Sequence, residues 1–244
     1  MGRKGNSYFQ FKRFTVHQSQ CAMKVCTDAS VFGAFTARFA KVSNLAMENV
    51  LDIGAGTGLL SLMLAQESPA HITAIELDPA AAQQAEDNFK NSPWADRLHL
   101  MEGAVQTVEP GKAFDLIISN PPFYEQSLQG PSAGRNRAMH AVTLSYPDLI
   151  AGVLKNLSEG GVFALLLPFA EFQRFQELAA GQHLHVHELL HLRQTPKHEY
   201  FRTIGFFRRN VAEIIAVGDL VIKNSDDKYT PTFSSLMANF YLHL

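Results

Sequence analysis

The sequence is poor in cysteine, and its two cysteines, Cys21 and Cys26, are too few for a disulfide framework or a cysteine-rich metal site. They are expected to be free thiols in a reducing compartment. No apolar run approaches the roughly 18 residues of a membrane span, and the first residues lack the apolar stretch of a signal peptide. These absences predict a soluble cytoplasmic protein with no bound metal.

An excess of basic residues is also lacking, because 21 Lys and Arg face 23 Asp and Glu, for a net charge of −2. Nonspecific coating of nucleic acid requires surplus positive charge, so that class is excluded and only a local basic patch remains possible. For each candidate a solvated surface position is an equally good interpretation. The candidates are Arg3, Lys4, Lys12, Arg13, Arg135, Arg137, Arg202, Arg208 and Arg209.

Apolar runs alternate with helical patterns along the chain, which predicts an α/β fold with a mostly parallel sheet. The 46% hydrophobic content can supply one large core, so we predict a single domain over 1–244, with a monomer favoured. The predicted strands are 49–53, 71–76, 97–102, 114–119, 162–167, an edge hairpin of 184–192 and 199–208, and a further strand over 211–222. The predicted helices are 29–40, opened by Asp28, then 58–67, 79–91, 145–157, 171–180 and 231–241, and a short hairpin is predicted over 9–16.

The segment Asn120-Pro121-Pro122-Phe123 directly follows the apolar run 114–119, so a rigid turn capped by an aromatic ring ends a predicted strand. The Asn120 side-chain oxygen and the Pro121 carbonyl would be two fixed hydrogen-bond acceptors, since successive prolines restrict φ to about −65°. Phe123 would offer a stacking face to the ring that carries the amine. This turn is suited to methyl transfer to an exocyclic nitrogen, with an ordinary strand-ending turn as the alternative.

A glycine-rich turn follows the first core strand, with Gly54, Gly56 and Gly58 at alternate positions before a helix. Such a turn lets a ligand approach the backbone closely, and the helix N-terminus favours negative charge. The spacing is not the dinucleotide fingerprint, because Leu59 stands where that motif has its third glycine. The next strand ends in Glu76, whose carboxylate can accept both hydroxyls of a ribose.

Together these motifs resemble class I S-adenosylmethionine-dependent methyltransferases that act on amino groups. The stretch from Phe11 to Ala34 narrows the resemblance to the bacterial tRNA(Val) adenine-N6 methyltransferase family, which modifies the adenine 3′ to the anticodon. The matching segments are Phe14-x-Val16-x-Gln18, the run 22–29, Ser92-Pro93-Trp94-Ala95 and Phe240-Tyr241-Leu242. The resemblance covers most of the chain and implies a Rossmann-like seven-stranded sheet, with an N-terminal extension over 1–45 and a cofactor-binding core over 46–244.

The resemblance also implies ligands and roles. S-adenosylmethionine is the expected cofactor, and an adenine of tRNA, expected to be adenine 37 of tRNA(Val), is the expected methyl acceptor at Asn120, Pro121, Pro122 and Phe123. Expected cofactor contacts are Thr27, Asp52, Gly54, Gly56, Gly58, Glu76, Leu77, Val105 and Asn120. Where the family usually has an acid that meets the cofactor adenine, this chain has Gly103-Ala104-Val105, which leaves the Val105 backbone N–H for that contact.

Two other substrate classes share parts of this pattern. Protein glutamine methyltransferases use the same turn, but they carry an additional N-terminal helical domain, for which the segment before residue 46 leaves too little room. The rRNA guanine-N2 methyltransferases often have Phe in the last motif position, yet they typically have a duplicated domain and a longer chain. Both remain alternatives for the substrate.

The segment His187-Glu188-Leu189-Leu190-His191 matches the H-E-x-x-H signature of zinc proteases. That signature functions on a helix, where residues i and i+4 share a face. The preceding residues alternate with period two, which favours a strand with its histidines on one face towards solvent. We therefore predict no zinc site here.

Overall fold

The computed structural model describes residues 6–43, 47–107, 109, 111–121 and 144–244, and in them one eight-stranded sheet is covered by helices on both faces. The strands are β1 (Tyr8–Gln10), β2 (Thr15–His17), β3 (Asn49–Ile53), β4 (His71–Glu76), β5 (Leu98–Glu102), β6 (Phe114–Ser119), β7 (Leu157–Pro168), β8 (His185–Arg193), β9 (Arg202–Arg208) and β10 (Ala216–Val221). The α-helices are α1 (Thr27–Val42), α2 (Leu59–Glu67), α3 (Pro79–Lys90), α4 (Tyr146–Asn156), α5 (Phe169–Ala180) and α6 (Pro231–Met237).

The sheet order is β10-β8-β9-β7-β6-β3-β4-β5, and β9 is antiparallel to both of its neighbours. The predicted parallel α/β sheet with an antiparallel hairpin is thereby confirmed. One strand more than the expected seven is present, because β10 pairs in parallel with β8 and covers its outer side. We call the side at which β3 to β7 all end the carboxyl edge of the sheet.

The core explains why the strands read as nearly continuous apolar runs. In β7, Val162 and Ala164 belong to the cluster beneath α1 and α2, whereas Phe163 and Leu165 belong to the cluster beneath α4 and α5. A parallel sheet buried on both faces needs apolar residues at every position rather than at alternate ones. None of the helices in the described ranges combines the length and apolar character needed to cross a membrane.

The N-terminal extension is packed onto the core rather than separate from it. The predicted hairpin is confirmed, with Phe9 opposite Val16. The backbone N–H and C=O of His17 bond to the side chain of Asn88 on α3, at 2.9 and 2.8 Å. Phe11 is almost fully buried, so the hairpin contributes to the core.

The expected role of Asp28 as a helix cap is wrong. Helix α1 begins at Thr27, and its N-cap residue, Cys26, makes no side-chain capping bond. Asp28 lies in the first turn, where its carboxylate accepts a 2.8 Å hydrogen bond from Nε of Arg202 on β9. Asp28 therefore pairs with Arg202, which is distant in sequence, instead of capping its own helix.

The H-E-x-x-H segment lies on strand β8, as predicted, but its histidines do not share a face. A bulge between Val186 and Glu188 inserts one extra residue, His187. His187 therefore lies beside Phe206, whereas His191 pairs with Thr203 and faces the opposite side of the sheet. Among the described residues no group of three His, Cys, Asp or Glu side chains could hold a metal ion.

Other differences concern the ends of elements. Strand β7 begins at Leu157 rather than at 162, and β9 begins at Arg202 rather than at 199. Strand β10 occupies only the second half of the predicted 211–222, and α6 ends at Met237 rather than at 241. Boundaries depend on tertiary pairing that local pattern does not encode.

Candidate active site

The glycine turn between β3 and α2 has three residues with positive φ: Gly54 at 72°, Gly56 at 56° and Gly58 at 77°. A side chain at Gly54 or Gly56 would meet no atom within 4 Å, so the backbone there faces open space. At Gly58 a Cβ would lie 2.4 Å from the ring of Phe89. The first two glycines thus border a space that a ligand can fill, whereas the third allows α3 to pack closely.

Asp52 is completely buried beneath this turn. Its Oδ2 accepts hydrogen bonds from the Ser61 hydroxyl at 2.7 Å and the Ser61 backbone N–H at 3.2 Å. Its Oδ1 accepts none from the residues that the structure describes. Burial raises the pKa of Asp52 to about 7, since a carboxylate away from water is penalised when ionised. A cationic group bound above the glycine turn would favour the ionised form.

Glu76 at the end of β4 holds the turn from the other side. One oxygen accepts from the backbone N–H of Gly56 at 2.7 Å, and the other accepts from that of Asp78 at 2.9 Å. An ionised carboxylate has about four acceptor positions, so two remain for other donors. The next residue, Leu77, is 42% exposed, and its apolar side chain is available to a flat ring beside the acid.

Asn120 follows strand β6 immediately beside the glycine turn. The preceding residue, Ser119, is opposite Ile53, and its hydroxyl donates to the Ile53 carbonyl at 2.8 Å. Oδ1 of Asn120 is buried and accepts no hydrogen bond from any described residue. An unpaired buried acceptor is costly, so this oxygen is well suited to receive an amine. Pro121 is buried, and Pro122 and Phe123 lie outside the described residues.

A segment of the N-terminal extension, just before the expected cofactor contact Thr27, reaches this turn through Met23, a residue that the sequence did not single out. Sδ of Met23 lies 4.0 Å from Nδ2 of Asn120. The segment is fixed by Gln18, which is buried and accepts from the Val25 backbone N–H at 2.8 Å and donates to the Asn6 carbonyl at 3.0 Å. The only sequence signal for this bracing role is the motif Phe14-x-Val16-x-Gln18. Thr27 follows the segment directly.

The cysteines are both free, as predicted. Burial, together with the nearby Glu76 and Asp78, raises the pKa of the Cys21 thiol to about 11. Burial also raises the pKa of Cys26 to about 12. Both thiols are therefore protonated at neutral pH and poorly nucleophilic.

Val105 follows strand β5 and is buried. Its side chain packs against Gly152 of α4, where an added Cβ would approach it to 3.1 Å. The backbone N–H of Gly103 donates to the Glu76 carbonyl at 2.9 Å, which ties this segment to the strand-end acid. The expected contact from the Val105 backbone stays a prediction.

The structure separates the candidate basic residues by location. Arg202 opens β9 at the carboxyl edge, opposite Pro168. Arg13 lies over Trp94, just before β5 begins, and Nη2 of Arg209 donates to the Leu154 carbonyl at 2.7 Å where β7 begins. Arg13 and Arg209 therefore lie at the edge of the sheet opposite to the carboxyl edge. Arg208, at the end of the antiparallel strand β9, lies at that edge as well. Lys12 donates to the Ala238 carbonyl, and Arg3, Lys4, Arg135 and Arg137 lie outside the described residues.

Comparison with known proteins gives one consistent result. A family model described as a methyltransferase small domain matches residues 23–145. A tRNA1(Val) (adenine(37)-N6)-methyltransferase from Dyadobacter fermentans is 42% identical over 242 residues, which cover 97% of this chain and 98% of the relative. The protein of the same name from Cytophaga hutchinsonii is 39% identical over 255 residues, or 98% of this chain and 99% of the relative.

The solved structures are more distant. A predicted O-methyltransferase from Agrobacterium tumefaciens has a TM-score of 0.64 at 18% identity, covering 87% of this chain and 96% of that protein. At this identity the likeness concerns the fold alone.

Proposed function

We propose that this chain, which belongs to the tRNA1(Val) (adenine(37)-N6)-methyltransferase family, transfers a methyl group from S-adenosylmethionine to N6 of adenine 37 in tRNA(Val). The observation that carries the proposal is the buried, unpaired Oδ1 of Asn120 beside the glycine turn. This oxygen would be the acceptor for an amine, next to a space suited to a cofactor. The names of the relatives indicate that this amine is N6 of adenine 37.

The residues around the glycine turn fit S-adenosylmethionine. The unpaired Oδ1 of Asp52 is suited to the ammonium of the methionine part, and the remaining acceptor positions of Glu76 are suited to the ribose hydroxyls. Leu77 offers an apolar surface to the adenine, and Gly54 and Gly56 leave room for the backbone to approach the ligand. When bound, this cofactor supplies a methyl group activated by a positively charged sulfur.

At the other side of the site, the target adenine must leave its stack to reach Asn120. Its amino group would donate to Asn120 Oδ1 and to the Pro121 carbonyl, which draws the nitrogen lone pair out of the ring system. These two acceptors would hold the amine against the activated methyl group and would stabilise the positive charge that forms on nitrogen as the methyl group is transferred. The methylated nitrogen is far more acidic, so its extra proton can pass to water without a carboxylate base. Phe123 stays the predicted stacking partner.

Nucleoside mass spectrometry tests the substrate. Unmodified tRNA(Val) incubated with the protein and S-adenosylmethionine is expected to yield N6-methyladenosine at position 37, and tRNA(Val) with guanine at that position is expected to yield none. Cofactor binding measured in parallel by calorimetry makes a negative result informative. Binding without tRNA methylation would overturn the proposed substrate and direct the search to rRNA or to protein glutamine.

Cofactor affinity is expected to depend on pH through Asp52. The free carboxylate has a pKa of about 7 and must be ionised to pair with the ammonium. Affinity should therefore rise as pH increases through 7, and fall again once the ammonium, with an ordinary pKa of about 8, loses its proton. Calorimetry should show binding roughly five- to tenfold weaker at pH 6 than at pH 7.5.

The variant Asp52→Asn is the control for this pH dependence. The amide can still accept from Ser61 but cannot titrate, so its affinity should be lower and nearly constant between pH 6 and 7.5. An unchanged pH profile in this variant would exclude Asp52 as the titrating group.

A further inference from the structure

A cluster of aromatic rings lies on the carboxyl edge of the sheet, outside the site described above. It consists of Phe169, His191 and Tyr200, and we call it the aromatic cluster. The ring centroids are 5.3 Å apart for Phe169 and His191, 5.3 Å for Phe169 and Tyr200, and 5.0 Å for His191 and Tyr200. Each of the three rings therefore packs against the other two.

The sheet topology places this cluster close to the target turn. Strand β6, which ends beside Asn120, pairs with β7, and β7 pairs with β9. Phe169 follows β7 directly, and its backbone N–H donates to the Phe201 carbonyl at 3.1 Å, just before β9. Adjacent strands are about 4.8 Å apart, so β9 lies about 10 Å along the edge from β6. A short stretch of nucleic acid would reach both.

An arginine packs against one ring of the aromatic cluster. The guanidinium of Arg193 lies 4.1 Å from the centroid of the Tyr200 ring. It is 3.8 Å from the Asp219 carboxylate, and its buried Nε has no hydrogen-bond partner among the described residues. Burial lowers the pKa of His191, so that ring is uncharged at neutral pH and the positive charge comes from the arginine.

Phe169 is the exposed member of the cluster, with 42% of its surface accessible. A single exposed aromatic residue is common and needs no explanation. This ring, however, is braced by two others at the edge that carries the methyl-acceptor site. The adjoining segment from 193 to 202 contains three basic residues, but Arg193 faces Asp219 and Arg202 pairs with Asp28, so the segment has no surplus of positive charge. What suits this surface to single-stranded RNA is the rigid, exposed aromatic face, since every base can stack on such a ring.

We infer that the aromatic cluster is a second RNA-binding surface, on which a base next to the methylated adenine stacks against Phe169. The inference rests on the proposed tRNA substrate and specifies how its anticodon loop is held. Sequence-specific recognition of RNA generally targets loops whose bases can be splayed out onto aromatic side chains. Extrusion of the target base towards Asn120 leaves its neighbours unstacked, and the cluster supplies a replacement partner. Tyr200 and His191 fix the Phe169 ring, and Arg193 supports Tyr200.

Steady-state kinetics with unmodified tRNA(Val) tests this surface. Since stacking of one base on an aromatic ring changes affinity by roughly 5- to 150-fold, Phe169→Ala should raise KM for tRNA by about that factor. The kcat and the affinity for S-adenosylmethionine should be unchanged. Phe169→Trp should retain the wild-type KM, whereas Phe169→Leu, which is apolar but has no aromatic face, should behave like the alanine variant.

Leu178→Ala is the matched control, because Leu178 is a similarly exposed apolar residue near the other end of the same helix, α5. It should leave every parameter unchanged. An unchanged KM in Phe169→Ala, or equal values for the Leu and Trp variants, would overturn the inference while wild-type methylation of tRNA(Val) still supports the proposed function. If the wild-type protein binds the cofactor and does not methylate tRNA(Val), the proposed function itself fails, and the inference fails with it.

A fluorescent anticodon stem-loop gives an independent measurement. With 2-aminopurine at the position on either side of adenine 37, stacking on Phe169 should quench the fluorescence at one of the two positions when the wild-type protein binds. The Phe169→Ala variant, at a concentration that saturates the RNA, should leave that probe bright. Equal quenching by both proteins would contradict the proposed stacking.

Discussion

Replacing Asn120 with alanine is expected to reduce kcat for tRNA(Val) methylation by about 10²- to 10³-fold, the range found when one preorganised polar group is removed from a reaction centre. The side-chain oxygen is buried without a partner among the described residues, and its proposed role is to receive the target amine as charge develops on nitrogen. Because the alanine variant loses an interaction that is strongest in the transition state, KM for tRNA should change little. Initial rates at saturating cofactor measure this effect.

Two further measurements separate this role from a structural one. Affinity for S-adenosylmethionine in Asn120→Ala should fall only modestly, and an equal loss in binding and turnover would contradict the assignment. The variant Asn120→Asp keeps an oxygen acceptor at the same position, and among the described residues it gives up the weak contact of Nδ2 with Met23. It should retain more activity than the alanine variant. If both variants were equally inactive, the acceptor role would be excluded.

The fold could be predicted from sequence because most of its signals are local. Buried runs bounded by turns gave the five core strands, and the hairpin β1–β2 and the helices α2 to α5 followed from periodicity and capping. The bulge at His187 could not be predicted, since a single extra residue leaves no mark on an alternating pattern and yet moves His187 and His191 to opposite faces. The parallel pairing of β10 with β8 depends on a contact between segments that are far apart in sequence.

The candidate site likewise has some features that could be predicted from local sequence and others that depend on tertiary contacts. Asp52, Glu76 and Asn120 were predictable because each stands at the end of a strand, and the ends of parallel strands meet at one edge. The direction of a long side chain is set by its tertiary partners, so the sequence could not show that Arg202 turns to Asp28 while Arg209 binds carbonyls at the opposite edge. For the same reason it gave no indication of the aromatic cluster, whose members come from three separate segments.

Replacement of Glu76 by alanine is expected to weaken S-adenosylmethionine binding by about 30- to 1000-fold. Two hydrogen bonds from ribose hydroxyls to an ionised carboxylate would be lost, each contributing roughly 1 to 2 kcal/mol net. The loss has a second cause, because the same carboxylate holds the backbone N–H of Gly56 at 2.7 Å and that of Asp78 at 2.9 Å. The glycine turn should therefore also become less ordered. Calorimetric titration with S-adenosylhomocysteine measures the change without turnover.

Glu86→Ala controls for the general loss of a carboxylate, because Glu86 is a half-exposed residue of α3 whose ion pair with Lys90, at 2.9 Å, is a surface contact of small energetic value. It should bind the cofactor as the wild-type protein does. Glu76→Gln separates the two causes: its amide oxygen can still accept from the backbone of the turn, but it lacks the charge that strengthens the bonds to the hydroxyls. An affinity between those of the wild type and the alanine variant is expected. If Glu76→Ala binds as tightly as Glu86→Ala, Glu76 serves only to brace the glycine turn, and the ribose must be held by other residues.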